Sequence, residues 1–220
     1  MWNFLFDFDG TILDTTELIL KSFVHAFQEG LGEPITHEEL MVHFGRPLVE
    51  QFRIMRPALS AGEVDRLVRI YREHNEAEHD QWVRVVPGAD EGLRELAARG
   101  FPLGIVTSKR LDMTEHGLKG AGLYDLFQVI VHMDSTLNHK PHPEPVEHAL
   151  QLMGGTPDKA VYVGDSPYDM TSGRSAGVHT VGLVYNTFTE PVLREAGAER
   201  VVHHWPDVVE ALLGWARASS

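Results

Sequence analysis

From Pro87 and Gly88 onward the chain alternates short apolar runs with stretches of helical period, and that rhythm leaves few folds open. A helix is expected over 89–99, stopped by Gly100, and Leu103–Val106 reads as a strand. Asp112 with Glu115 reads as a capping box opening a helix that ends near Gly122. Val129–Val131 follows as a strand, Glu144–Met153 as a helix stopped by Gly154 and Gly155, and Ala160–Val163 as a strand. A helical stretch after Asp169, strands at Thr180–Val184 and Val201–His203, and a closing helix over Pro206–Arg217 complete the pattern. Strands that alternate with helices imply a parallel sheet with helices on both faces. At the other end, the aromatic run Trp2–Phe8 predicts a buried strand, after which Gly10 lets the chain turn.

Residues 15–84 break the rhythm, because they carry helical signals alone. Leu20, Phe23, Val24, Phe27 and Leu31 fall on one helix face, as do Val64, Leu67, Val68 and Tyr71. Thr36 with Glu39, and Ser60 with Glu63, read as capping boxes. The expected organisation is an α/β core formed by 1–14 and 85–220, with an all-helical cap, 15–84, inserted after the first strand.

Composition narrows the chemistry. The 220 residues carry a formal charge of -13, which repels DNA, RNA and anionic lipid at long range. No nucleic-acid or membrane partner is expected. The absence of cysteine excludes disulfides, thiolate catalysis and Cys-type metal sites, and it fits a reducing cytoplasm. The N-terminus is too short in apolar residues, and too interrupted by Asp7 and Asp9, for a signal peptide. The expected location is therefore cytoplasmic.

The chemistry-bearing residues fall just after the strands. Asp7-Phe8-Asp9-Gly10-Thr11 places two carboxylates, i and i+2, on one side of the chain where the first strand ends. Ligands of open parallel sheets bind at that edge. Two adjacent carboxylates repel unless a cation binds or one takes a proton, so the pair suits a hard cation such as Mg²⁺ or a general acid. Thr107 and Ser108 follow the 103–106 strand, Asp165 follows the 160–163 strand, and Asp169 lies four residues on. Lys140 sits in a loop kept extended by Pro141 and Pro143. Together these residues form a site for a metal ion and a phosphoryl group. The ligand would be a small anionic phosphorylated metabolite.

These motifs resemble the haloacid dehalogenase superfamily of phosphohydrolases, over the whole chain. The resemblance implies a Rossmann-like α/β core with a helical cap that closes over the substrate. It implies Asp7 as the nucleophile that forms an aspartyl-phosphate, and Asp9 as general acid and base. Gly10, Thr107, Ser108 and Lys140 would bind substrate. Mg²⁺ would be held by Asp7, Asp9 (through its backbone carbonyl) and Asp165, with Asp169 supporting them from behind. Gly173-Arg174-Ser175-Ala176-Gly177 and Gly45-Arg46-Pro47-Leu48 look like the branch containing phosphoglycolate phosphatase and bacterial inorganic pyrophosphatase. The implied activity is hydrolysis of a phosphoglycolate-like monoester. The alternatives are inorganic pyrophosphate hydrolysis and action on a sugar phosphate as phosphatase or mutase. Arg46 is the candidate for reading a second anionic group on the substrate.

Simpler readings exist for each residue. Asp7 and Asp9 could be turn acids, Thr107 or Ser108 a helix cap, and Asp169 a cap or a partner of Lys140. The thirteen histidines include no His-Glu-x-x-His zinc pattern; His139 and His142 flank Lys140. A receiver-like signalling module pairs adjacent acids and lacks an insert. A haloalkanoate dehalogenase needs no acid at position 9. A phosphonate hydrolase needs a cap lysine, and the single lysine before residue 109 is Lys21.

Overall fold

The computed structural model describes residues 1–218, so Ser219 and Ser220, the end of the expected 85–220 core range, lie outside the described residues. The chain divides into two compact units, Met1–Asp14 with Val85–Ser220, and Thr15–Arg84.

In the larger unit the strands are β1 (Asn3–Phe6), β4 (Leu103–Val106), β5 (Val129–Val131), β6 (Ala160–Gly164), β7 (His179–Leu183) and β8 (Arg200–Val202). They form a six-stranded sheet in the order β5-β4-β1-β6-β7-β8, and the recorded pairings are parallel. Short strands β2 (Leu13–Asp14) and β3 (Arg84–Val85) pair separately. Helices α5 (Ala89–Ala98), α6 (Leu111–Gly120), α7 (Glu144–Met153), α8 (Pro167–Ser175), α9 (Glu190–Ala196) and α10 (Trp205–Ala218) connect and cover the sheet. This is the Rossmann-like α/β architecture.

β1 lies at the middle of the order. Phe6 is in register with Ile105 on one side and Val163 on the other. Phe4, Leu5 and Phe6 are therefore buried on both faces, as a central parallel strand requires. The chain leaves β1 toward β4 on one side and returns to β6 on the other. That reversal opens a crevice at the carboxyl ends of the strands.

β1 stops at Phe6, shorter than the 2–8 run the sequence suggests, because the backbone turns away to build the site. Ile12 and Leu13 donate N–H bonds to Phe8 O, and Gly10 takes φ +79°. Trp205 Nε1 donates to Thr11 O at 2.9 Å and pins the turn, while its ring stacks on Phe6 at 5.6 Å. α6 opens at Leu111 behind Arg110, and the expected Asp112–Glu115 capping box does not form. Asp112 bonds instead to Arg110, and Glu115 to Lys119 and Tyr124.

The smaller unit contains α1 (Thr16–Leu31), α2 (His37–Met41), α3 (Leu48–Met55) and α4 (Ala61–Trp82). Its core centres on Phe23, whose ring lies 5.2 Å from Phe52 and 4.8 Å from Tyr71. Val24, placed on the apolar face by periodicity, is exposed; Ser22 is buried in its stead. Ser22 Oγ donates to Leu18 O and accepts from Asn75 Nδ2, which removes the cost of its burial. The Ser60–Glu63 capping box forms completely. At Thr36 only half forms, because the Glu39 carboxylate turns to Arg56.

Candidate active site

Asp7 leaves the end of β1, Thr107 the end of β4 and Asp165 the end of β6, so three adjacent strands deliver side chains to one crevice. Lys140 completes the group from the loop before α7. Its ammonium is 2.7 Å from Asp7 Oδ1 and 2.7 Å from Asp169 Oδ1. It also lies 3.3 Å from the Tyr162 hydroxyl, which is itself 2.9 Å from both Val106 O and Asp169 Oδ1. Asp7, Lys140, Asp165 and Asp169 are all buried, and Asp169 is fully so.

Asp169 sits at the third position of α8 and closes a capping box with Ser166. Its Oδ2 accepts from Ser166 N at 3.1 Å and Ser166 Oγ at 2.6 Å. Both oxygens are thus engaged by protein donors, so Asp169 is at once a helix-start residue and the anchor of Lys140. Gly164 makes room for it: a Cβ there would fall 2.4 Å from Asp169 Cβ.

Three buried carboxylates around one ammonium leave the cluster short of positive charge. Burial first, then the neighbouring Asp169, pushes Asp7 up to about 7, although Lys140 pulls the other way. Burial and the nearby Asp7 and Asp169 likewise raise Asp165 well above the carboxylate range. For Lys140 burial opposes the charge, but Asp169 and Asp7 outweigh it and hold the ammonium above the ordinary lysine value. Oxygens of Asp7, Asp165 and Asp169 lie within 4.8 Å of one another, with no histidine or cysteine among them. An all-oxygen, acidic donor set fits a hard divalent cation.

Gly10 shapes the same spot. A Cβ on it would meet Asp165 Oδ2 at 2.2 Å, and its φ lies in the left-handed region. Gly10→Ala is therefore expected to displace the Asp165 carboxylate and to strain the turn by about 1–2 kcal/mol. Turnover should fall roughly 100-fold while unfolding stays cooperative. Wild-type rates would show that Asp165 need not sit against Gly10.

Asp9 lies past the strand end, at the turn. Its Oδ1 accepts from Lys109 Nζ at 2.9 Å. Thr107 Oγ1 accepts from Lys109 N at 3.1 Å, so it caps the local backbone. Ser108 Oγ is buried without a hydrogen-bond partner among the described residues. His142 Nδ1 accepts from Glu144 N, a bond local to the start of α7. Arg46 belongs to the smaller unit, where it pairs with Glu50. The structure thus joins Asp7, Asp169 and Lys140 in one hydrogen-bonded network and sets Asp165 beside it. It adds Lys109 and Tyr162, which the sequence reading did not single out.

The chain matches the family described as haloacid dehalogenase-like hydrolase over residues 4–183. It is 35% identical over 206 residues to the pyrophosphatase PpaX of Halalkalibacterium halodurans, covering 94% of each chain. Against the pyrophosphatase PpaX of Bacillus pumilus the identity is 39% over 203 residues, covering 92% of this chain and 88% of the other. A solved hydrolase from Pseudomonas syringae superposes with a TM-score of 0.87 over 96% of this chain and 98% of its own; at 24% identity, the likeness is one of fold.

Proposed function

The chain belongs to the haloacid dehalogenase-like hydrolases and is a phosphatase; from that premise we propose that it hydrolyses inorganic pyrophosphate with Mg²⁺, through an aspartyl-phosphate on Asp7. The reaction type rests on one observation above the others, the buried Asp7 carboxylate held by Lys140 at the strand edge. The choice of substrate rests on the pyrophosphatases to which the chain is similar along nearly its whole length. The phosphoglycolate-like monoester expected from the motifs stays the alternative substrate.

Lys140 fixes Asp7 Oδ1, and the other carboxylate oxygen attacks phosphorus. The new O–P bond forms as the bridging P–O bond breaks, and Asp9, entering the step protonated on the oxygen not bonded to Lys109, gives that proton to the departing phosphate. Asp9 then takes a proton from water, which attacks the aspartyl-phosphate, releases orthophosphate and restores the Asp7 carboxylate. Thr107, Ser108 and backbone N–H groups after Asp7 bind the equatorial oxygens; the buried Ser108 hydroxyl would gain a partner in doing so. Asp7 and Asp165, with the Asp9 carbonyl, would hold the Mg²⁺, which supplies charge neutralisation between nucleophile and phosphate. Asp169 holds Lys140 in place.

Orthophosphate release should be measured across pyrophosphate, phosphoglycolate, sugar phosphates and p-nitrophenyl phosphate. Pyrophosphate should give a kcat/KM at least about tenfold above any monoester. A monoester that is hydrolysed best would replace the substrate reading and leave the mechanism standing. Chelation should abolish activity. Ca²⁺ should not restore it, because its looser shell tolerates a bidentate Asp7 and occupies the attacking oxygen.

The acidic cluster also sets a pH dependence for metal binding. Burial and Asp169 push Asp7 up to about 7, so as pH falls through that value it takes up a proton that a cation must displace, and the upward shift of Asp165 acts in the same direction. Apparent Mg²⁺ affinity should weaken by about tenfold per pH unit for each proton displaced as pH falls below 7. Calorimetry in buffers of different ionisation enthalpy would count the protons. A pH-independent affinity would place the ion elsewhere.

A further inference from the structure

Two lysines serve this site, and they stand on different partners. Lys140 is committed to the nucleophile side, bonded to Asp7 and Asp169. Lys109 is bonded to Asp9, the proton donor to the leaving group, at 2.9 Å. Its position is built. Its N–H donates to Thr107 Oγ1, its carbonyl accepts from Met133 N at 3.0 Å, and its ammonium lies 5.8 Å from the Phe8 ring. The side chain is only 11% exposed.

In an in-line displacement the nucleophile and the leaving oxygen lie on opposite sides of phosphorus. Asp9 must come within hydrogen-bond reach of that leaving oxygen. An ammonium within 3 Å of the same Asp9 carboxylate is then placed beside whatever the leaving oxygen carries. It has three N–H donors and spends one on Asp9. A monoester of an uncharged alcohol offers this cation no charge beyond that of Asp9. For a diphosphate, the departing group is itself a phosphate, with oxygens that an ammonium binds as a point charge. Asp9 already gives Lys109 one counter-charge, and the oxygens of a departing phosphate would engage the donors that remain.

We propose that Lys109 is a specificity-determining residue whose ammonium binds the departing phosphoryl group of a diphosphate substrate. This deepens the pyrophosphate reading and rests on it. The ammonium keeps Asp9 oriented in the resting enzyme, then shares its donors with the terminal oxygens of the leaving phosphate. No new bond or redox change is required; the contribution is charge neutralisation on the side that Lys140 does not reach.

The test compares Lys109→Met and Lys109→Arg with wild type in two assays. The first is the ratio of kcat/KM for pyrophosphate to that for p-nitrophenyl phosphate, whose leaving group carries no second phosphate. The second is inhibition of p-nitrophenyl phosphate hydrolysis by methylenediphosphonate and by orthophosphate. Lys109→Met should lower the first ratio by about 30-fold or more, and Lys109→Arg by clearly less, because the arginine keeps the charge. Methylenediphosphonate should lose about tenfold in affinity or more, orthophosphate much less. A purely positioning role for Lys109, acting through Asp9, would also lower the first ratio, because p-nitrophenolate departs without an acid, but it would leave the affinities for methylenediphosphonate and orthophosphate unchanged, which overturns the proposal. If wild type fails to hydrolyse pyrophosphate yet shows the Lys109-dependent preference for the diphosphonate, the substrate reading falls and the anion subsite stands. If wild type neither turns over pyrophosphate nor favours the diphosphonate over orthophosphate, both fall.

Discussion

Asp7→Asn is expected to reduce turnover by at least about a thousandfold, the loss of some 4 kcal/mol of transition-state stabilisation. The amide keeps the size of the side chain but cannot attack phosphorus. Its oxygen can still face Lys140, so the contact at Oδ1 survives in geometry if not in strength. Stability should move the other way. In the metal-free protein, burial and Asp169 raise Asp7 to about 7 from 3.8. A carboxyl raised on folding costs stability as pH climbs from the lower value through the higher one, because the unfolded chain ionises first. Above pH 7 the folded protein carries that cost in full, and a neutral Asn does not. Metal-free Asp7→Asn should therefore be at least as stable as wild type at pH 8, with the advantage shrinking toward pH 4. Urea unfolding at the two pH values, beside single-turnover kinetics, checks both halves. A variant that keeps more than about a hundredth of the wild-type rate rules out Asp7 as nucleophile. One that is inactive because it is unfolded shows instead that the carboxylate is structural.

The sequence made the site legible where one residue type and its place after a strand were enough. Asp7 and Asp165 needed only the β/α rhythm and the rule that ligands gather at the strand ends, whereas Lys140, in the loop before α7, was placed by its flanking prolines and by the resemblance. The strand Leu103–Val106 starts just after Pro102, and the helix Glu144–Met153 runs from Pro143 to Gly154, as their Gly and Pro punctuation places them. Asp169 was readable as a partner of Lys140, yet its two simultaneous roles emerge only when α8 is seen to start at Pro167, with Ser166 as its cap. Lys109 was not legible. Its partner, Asp9, is 100 residues away in sequence, and Thr-Ser-Lys-Arg after a strand looks like an ordinary polar turn. Tyr162 was hidden for another reason: within Ala-Val-Tyr-Val it reads as one more buried apolar residue. The usable signal was its hydroxyl, since a tyrosine buried in a central strand must find a polar partner. The Asp112–Glu115 box misled because spacing alone cannot tell a cap from two acids that find cations at Arg110 and Lys119.

Lys140→Met should harm both catalysis and folding, and the folding loss should depend on pH and metal. Methionine matches the length of the stem but removes the one cation that Asp7 and Asp169 share. Breaking a buried ion pair from one side costs about 3–5 kcal/mol, because the remaining charge stays buried without compensation. Here two carboxylates lose it together, and Tyr162 loses a donor to its hydroxyl. In wild type the lysine is held above its ordinary value of 10.5, so its stabilising charge persists across the neutral range and is lost only as pH rises through that higher value. Without it the carboxylates take up protons to survive burial. Asp7 and Asp165, already raised, should rise further, so the pH window over which stability is lost extends upward past 7. The variant should therefore be close to wild type near pH 5.5, where protons stand in for the ammonium, and markedly weaker at pH 8. Saturating Mg²⁺ should return part of the loss at pH 8, because a divalent cation supplies positive charge to the same oxygens. It should not return the rate, which should stay about a thousandfold down with Asp7 no longer held for attack. Urea unfolding at both pH values, with and without Mg²⁺, separates these terms. Equal destabilisation at pH 5.5 and pH 8 would mean that packing, not charge, is what Lys140 contributes. An unchanged rate would remove it from the catalytic arrangement altogether.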